Sequence, residues 1–233
     1  MKTKITVFLA LFSCFVLVSC GSTDSGSSSG DDSSEKTHFE QALELFSKYD
    51  LRVTNGFDYS IKQYYGSETV NSKSTKLRVK FDNGTEAKKI LNTKRLNEFG
   101  QGEQYSFTET TTYFKNNQIC EFENGVWSWR TFDESEYLKS NLSAFSVDKQ
   151  YFTNVSEESV ESDIKFTANV PSNFISAVLG NDATGISQLH FTLVVNNDYS
   201  LFKSLSFTYN QQNTNSEILF TSVFDAGTID FPS

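Results

Sequence analysis

The chain of 233 residues has only three cysteines, two prolines, two histidines and one methionine. Cys14 and Cys20 stand in or beside an N-terminal apolar run, which leaves Cys120 alone in the body of the chain. One thiol closes no internal disulfide, so a cystine-stapled scaffold is excluded. Cys120 lies in the strand-like stretch "NNQICEFENG", where a small buried apolar side chain is its expected role. Two prolines exclude a proline-rich stalk. Neither His38 nor His190 has a cysteine or glutamate at metal-ligand spacing, so no metal and no other cofactor is expected. Basic charge is scarce as well: 20 Lys and Arg stand against 29 Asp and Glu, a net charge of −9. Such a surface repels nucleic acid and anionic headgroups, and nucleic acid is not an expected partner. The fingerprints G-x-S-x-G, H-E-x-x-H, the P-loop and the Rossmann motif are all missing, and "FGQGEQ" (99–104) lacks a third glycine. Enzymatic activity is therefore not expected. The acidic stretch "SEESVESD" (156–163) reads as a hydrated loop.

What is present begins with an address. Lys2 and Lys4 precede "ITVFLALFSCFVLV" (Ile5 to Val18), a run too short for a comfortable membrane span. Leu17, Val18, Ser19 and Cys20 then resemble the bacterial lipobox. In proteins with that pattern the cysteine thiol receives a diacylglycerol, palmitate-type acylation follows, and the signal is cut just before it. Residues 1–19 are accordingly expected to be a signal peptide, and the membrane is an expected partner through lipidated Cys20. The mature chain then keeps 18 basic and 29 acidic side chains, a charge of −11. Residues 20–35, "CGSTDSGSSSGDDSSE", bury too little apolar surface to order themselves. They read as a flexible tether reaching roughly 20 Å. The domain is expected on the extracytoplasmic side of the cell membrane, with its oligomeric state left open.

From residue 36 the chain reads as one α+β domain. Thr37 and Glu40 stand at capping-box spacing, and Phe39, Ala42, Leu43 and Phe46 recur at helical intervals. The period then changes to two. In "VTNGFDYSIKQY", Val53, Phe57, Tyr59 and Ile61 alternate with Thr54, Asp58, Ser60 and Lys62. "KLRVKF" places Leu77, Val79 and Phe81 inward, and "DNG" (82–84) reads as a turn. "QYSFTETTTYF" and "QICEFENGVWSWRTF" alternate again, with Glu123-Asn124-Gly125 as the turn. Asp133 and Glu136 predict a second capped helix with Leu138, Leu142 and Phe145 on its stripe. Strands follow in "IKFTANV", "SQLHFTLVV", "SLSFTYN" and "EILFTSVF", around a short helical piece, "PSNFISAVLG". One-sided alternation predicts an antiparallel sheet with one wet face, covered on its apolar side by helices. The expected fold is a curved antiparallel β-sheet, a half-barrel, packed against two or three helices.

"TTYFKNNQICEFENGVWSWRTFDESEYL" carries a family resemblance. Its hairpin, its "ENG-x-W" turn (Asn124, Gly125, Trp127) and the capped helix after it resemble the LolA/LppX-like superfamily, over about residues 36–231. That resemblance implies a half-barrel of antiparallel strands with helices on its open side, and a lipid or acyl chain held between the two layers. No acyl-contacting position of the family is carried over. Trp127 and Trp129, two apart on a strand, face the same way. Together with Phe107, Tyr113, Phe191 and Leu193 they are expected either as core or as the walls of a cavity for a hydrophobic ligand. The other class of function is an interaction module that presents its outer sheet face to a protein or a glycan. Exposed outer-face aromatics would mark that class, and one of the adjacent Tyr64 and Tyr65 must point outward.

Overall fold

The computed structural model of the chain describes residues 36–49, 51–81, 84–95, 106–133, 147–179, 183–211 and 214–233. Helix α1 (His38–Ser47) starts where its capping box predicts. The Thr37 backbone N–H donates to the Glu40 carboxylate (2.9 Å), and the Glu40 N–H donates back to the Thr37 hydroxyl (3.3 Å). These bonds satisfy donors that a helix start leaves without partners. The buried stripe of α1 is Phe39, Ala42, Leu43 and Phe46.

The strands are β1 (Gly56–Tyr65), β2 (Glu68–Lys80), β3 (Glu86–Arg95), β4 (Ser106–Lys115), β5 (Gln118–Glu123), β6 (Val126–Thr131), β7 (Thr153–Val160), β8 (Asp163–Val170), β9 (Ile186–Asn196), β10 (Phe202–Gln211) and β11 (Thr214–Ser222). Single 3₁₀ turns form at Lys149–Tyr151 and Ser172–Phe174, the second leading into α2 (Ile175–Leu179). The strands make one curved antiparallel sheet in the order β6-β5-β4-β3-β2-β1-β11-β10-β9-β8-β7. It is two meanders fused where β1 pairs β11, from Phe57↔Ser222 to Tyr64↔Asn215. The sheet does not close among the described residues. No helix among those residues is long and apolar enough to cross a membrane.

Alternation gives each half an inner face, the side on which α1 lies. In β8–β11 that face is apolar: Phe166, Phe191, Leu193, Leu205, Phe207 and Phe220 are all buried. Phe39 of α1 meets Phe166 at 5.6 Å and Phe191 at 6.2 Å between ring centroids, and Phe46 meets Phe202 at 5.0 Å. Fully burying side chains of this size contributes about 1.5–3 kcal/mol each. A second cluster (Leu51, Leu77, Val79, Ala87, Phe114, Ile119) closes one end of the inner face of β2–β5. Tyr49 and Phe57 touch both clusters and join them. Beyond that end the inner face of β2–β4 turns polar. Lys73, Thr75, Lys89, Thr93, Thr110 and Thr112 share it in register, with Leu91 the apolar exception among them.

The alternation read from Phe57, Tyr59, Ile61, Leu77 and Val79 matches the observed faces. Val53 and Thr54 depart from it. They lie in the turn before β1, where Val53 is exposed and Thr54 buried, because Thr54 donates its hydroxyl hydrogen to the Tyr49 oxygen (2.8 Å). Gly56 ends that turn at φ 134°, and a Cβ there would lie 2.0 Å from the Leu77 carbonyl oxygen, so only glycine fits. Two strands lie outside the sequence-based expectation. β3 places Lys89 inward and Ile90 outward, which blurs its alternation. β7 replaces the expected loop at 156–163. All its residues are exposed, and a charged, exposed edge strand deters pairing with other chains. The predicted helix after Asp133, Asp82 and Asn83 of the "DNG" turn, the signal peptide, Cys20 and the tether lie outside the described residues.

Acid should act on α1 through Glu40. The Lys149 ammonium, then the Thr37 N–H and hydroxyl, bring this carboxyl from 4.5 down to about 2. A depressed folded-state pKa gives stability that is complete above about pH 4.5 and lost as pH falls toward 2. Amide exchange across Phe39–Phe46 should therefore speed up between pH 4.5 and 2, and Glu40→Gln should flatten that dependence. An unchanged acid profile in Glu40→Gln would remove Glu40 as the anchor.

Candidate functional site

The tight β5–β6 hairpin builds the most unusual surface of the molecule. Asn124 (φ 54°) and Gly125 (φ 84°) form its two-residue turn, both in the left-handed region that a type I′ turn requires. The turn sets the register Phe122↔Trp127 and Cys120↔Trp129, while Tyr113 of β4 pairs with Cys120. Phe107, Tyr113, Cys120, Phe122, Trp127 and Trp129 therefore share one face. It is the outer face, opposite α1.

The rings of Tyr113, Phe122, Trp127 and Trp129 belong to one ridge, whereas Phe107 lies six residues along β4 from Tyr113 and shares only the face. Trp127 stands edge-on to Tyr113 (5.3 Å, 74°) and lies 5.2 Å from Phe122. The C-terminal segment after β11 crosses the same face and sets Phe231 between Tyr113 and Trp129, 5.8 Å from each. Lys115 Nζ sits 4.8 Å over the Phe231 ring and Lys88 Nζ 5.4 Å over Tyr113. Cys120, in the row between Tyr113 and Trp129, has no exposed surface. Burial pushes its thiol up, and the neighbouring Glu121 adds to the shift. A thiol held up in this way is a poor nucleophile. The ridge itself stays open, with Phe122 57% and Trp129 37% exposed, and Phe107, apart from it on the same face, is 61% exposed. Beside it lies a cleft of ≈ 620 Å³ lined by Glu109–Thr112, Glu121–Glu123 and Trp127.

The residues singled out from the sequence thus divide between two places. Phe107, Tyr113, Trp127 and Trp129 gather on the outer face. Phe191 and Leu193 lie in the helix-covered core, with Phe191 packed 4.4 Å from Phe152 and 5.3 Å from Phe207. No one cavity can be walled by all six. Sequence reasoning missed Phe122 and Phe231. Phe122 was legible, since a two-residue Asn-Gly turn places it opposite Trp127. Phe231 had no local signal, because it reaches the ridge only through the fold.

Two smaller hollows lie elsewhere. On the outer face of β9–β11, His190, Thr208 and Glu217 share a cross-strand row beside Tyr64, in a depression of ≈ 520 Å³. There the Tyr64 hydroxyl donates to Glu217 (3.4 Å), and His190 Nδ1 meets Asn169 Oδ1 at 2.8 Å. Tyr65, next to Tyr64, is 67% exposed at the strand end. On the inner face, Ile61, Gln63, Asn71, Lys73 and Thr93 line a hollow of ≈ 290 Å³. Lys89 stands on the same face, and burial followed by repulsion from Lys73 lowers its pKa. Among the described residues no three His, Cys, Asp or Glu side chains converge as metal ligands.

No family model matches the chain, and no curated protein matches it by sequence. Solved structures do resemble it. LprF from Mycobacterium bovis is 12% identical, over 84% of this chain and 96% of that one, with a TM-score of 0.41. A DUF1329 family protein from Desulfovibrio piger is 8% identical, over 82% and 93%, with a TM-score of 0.22. A LolA superfamily protein from Nitrosomonas europaea is 7% identical, over 83% and 93%, with a TM-score of 0.19.

Stability should separate core from ridge. Phe191→Ala, which empties a closed aromatic cluster, should cost about 3–5 kcal/mol in urea unfolding. Trp129→Ala, already over a third exposed, should cost less than half as much. Equal losses would make the ridge part of the core.

Proposed function

We propose that this chain is an exported lipoprotein, anchored by a diacylglycerol on Cys20 and spaced from the membrane by residues 20–35. Its domain, from residue 36 onward, binds a protein or glycan partner on the outer aromatic ridge and catalyses no reaction. The observation that supports this reading is the exposure of Phe122 and Trp129 in a ridge of touching rings with Tyr113, Trp127 and Phe231, beside a cleft. Exposed apolar groups gathered into a patch mark interaction sites, whereas singly scattered ones do not. Rigid aromatic rings also give large contact area at small entropic cost.

The chain has two tryptophans, and both stand in the ridge. The emission of the whole protein therefore reports on the site. A partner found among peptide and oligosaccharide libraries should shield the tryptophans from acrylamide and shift their emission to the blue. Trp127→Ala and Phe122→Ala should each weaken it by about tenfold or more, the scale of a side chain central to an interface. A partner that binds tightly and leaves both tryptophans fully quenchable would overturn the reading.

A second reading keeps the half-barrel and seats a lipid or acyl chain between the sheet and the helices. Its support is the inner-face hollow over Ile61, with Lys73 at its wall to meet an acidic headgroup. Phe191 and Leu193 already fill the core under α1, so the chain would lie over β1–β3 instead. A fourteen-carbon chain there would gain on the order of 10 kcal/mol at about 0.8 per methylene, before ordering costs. Native mass spectrometry of the full chain from detergent checks the anchor and the cargo together. The anchor should appear as a covalent mass on Cys20 that survives organic extraction and vanishes in Cys20→Ser. A further mass that extraction removes as fatty acid or phospholipid would favour the second reading, and its absence when lipids are supplied would end it.

A further inference from the structure

Backbone bookkeeping along β4 points to the kind of partner. The turn from β4 to β5 is Asn116-Asn117, with φ 53° and 56°, a type I′ turn that closes on Lys115↔Gln118. In that geometry the closing pair exchanges both hydrogen bonds, and every second residue back along the strand directs its N–H and C=O the same way. Tyr113, Thr111, Glu109 and Phe107 thus address the β5 side of β4. Pairing with β5 ends at Thr112↔Glu121. Past that point the backbone groups of Thr111, Glu109 and Phe107 meet no strand among the described residues, although β3 holds the opposite edge as far as Ser106. On the far wall Phe122 and Glu123 pair with β6 alone. The ≈ 620 Å³ cleft opens between these two free strand edges.

Its charge has one sign. Arg130 holds Glu121 at 2.8 Å, but Glu109 and Glu123 have no ion-pair partner among the described residues, and no basic side chain lines the cleft. We propose that the free edge of β4 at Phe107–Thr111 takes up, as an added antiparallel or parallel strand, an extended segment of another polypeptide that carries basic residues. Backbone pairing would supply affinity without regard to sequence, and alternate side chains would supply selection. A residue across from Phe107 would be apolar, and one across from Glu109 basic. The proposal rests on the outer-face reading above and goes beyond it by giving the class of partner.

The test uses the full chain in detergent and a synthetic octapeptide, Lys-Thr-Val-Thr-Lys-Thr-Val-Thr, which presents lysine and valine in turn on one face. Its controls are the same peptide with glutamate for lysine and the same peptide N-methylated at alternate residues. Strand addition should slow amide exchange at Phe107, Glu109 and Thr111 by at least about tenfold, since no strand among the described residues pairs with these amides. The glutamate and N-methylated peptides should give no such protection. Glu109→Lys, an exposed change that leaves the sheet intact, should weaken the lysine peptide by about tenfold, on the scale of a charge-assisted contact. Tryptophan shielding without amide protection, or equal binding of the N-methylated peptide, would overturn strand addition while leaving the outer-face reading in place. Neither signal at millimolar lysine peptide would overturn strand addition and strip the ridge of peptide affinity.

Discussion

The pairing of β1 with β11 holds this molecule together. It joins the first strand of the sheet to the last, and turns two meanders of six and five strands into one sheet. Each meander is built from local hairpins, but this seam closes a loop of more than 150 residues, with the entropic cost and slow formation that non-local pairing brings. Its register carries the inner face across the seam: Phe57, Tyr59 and Ile61 stand opposite Ser222, Phe220 and Ile218. A slip of one residue would turn every one of those side chains to the wrong face. Gly56 guards the end of the seam, where the chain passes too close to Leu77 for any Cβ.

The two halves use their faces in opposite ways. In β8–β11 the inner face is a dense aromatic layer under α1, tied down by the Thr37–Glu40 box and by Lys149. In β2–β6 the inner face is closely packed with apolar side chains at one end alone, and the aromatic surface has moved outside. There the C-terminal segment covers Cys120 and props Phe231 against Tyr113 and Trp129, while Phe107 and Phe122 are left in solvent. Apolar surface is exposed there on one face, next to strand edges that no strand among the described residues fully pairs. That combination is what the proposed binding role rests on.

Much of this was legible in the chain. The capping box at Thr37, the stripe of α1, the inward set Leu77-Val79-Phe81 and the turn at Asn124-Gly125 are local patterns, and the structure keeps them. β3 and β7 were hidden for separate reasons. The alternation of β3 is broken by an inward lysine, and β7 is an edge strand that buries nothing, so neither presents the contrast on which a period of two depends. The candidate site was half legible. Spacing showed that Trp127 and Trp129 face one way and that Phe191 and Leu193 do so on another strand, but not that the two pairs lie on opposite sides of the sheet.

Sequence alone determined the type and order of most elements, the acidic balance and the lone thiol of the domain, and it carries the expectation of a lipid address at Cys20, because each is written in neighbouring residues. Tertiary structure alone decided which face of each strand is core. Alternation says that a strand has two unlike faces, and only the helix, the seam and the C-terminal segment that pack on them say which is which. The aromatic ridge, with Phe231 brought from the far end of the chain, exists only after that choice is made.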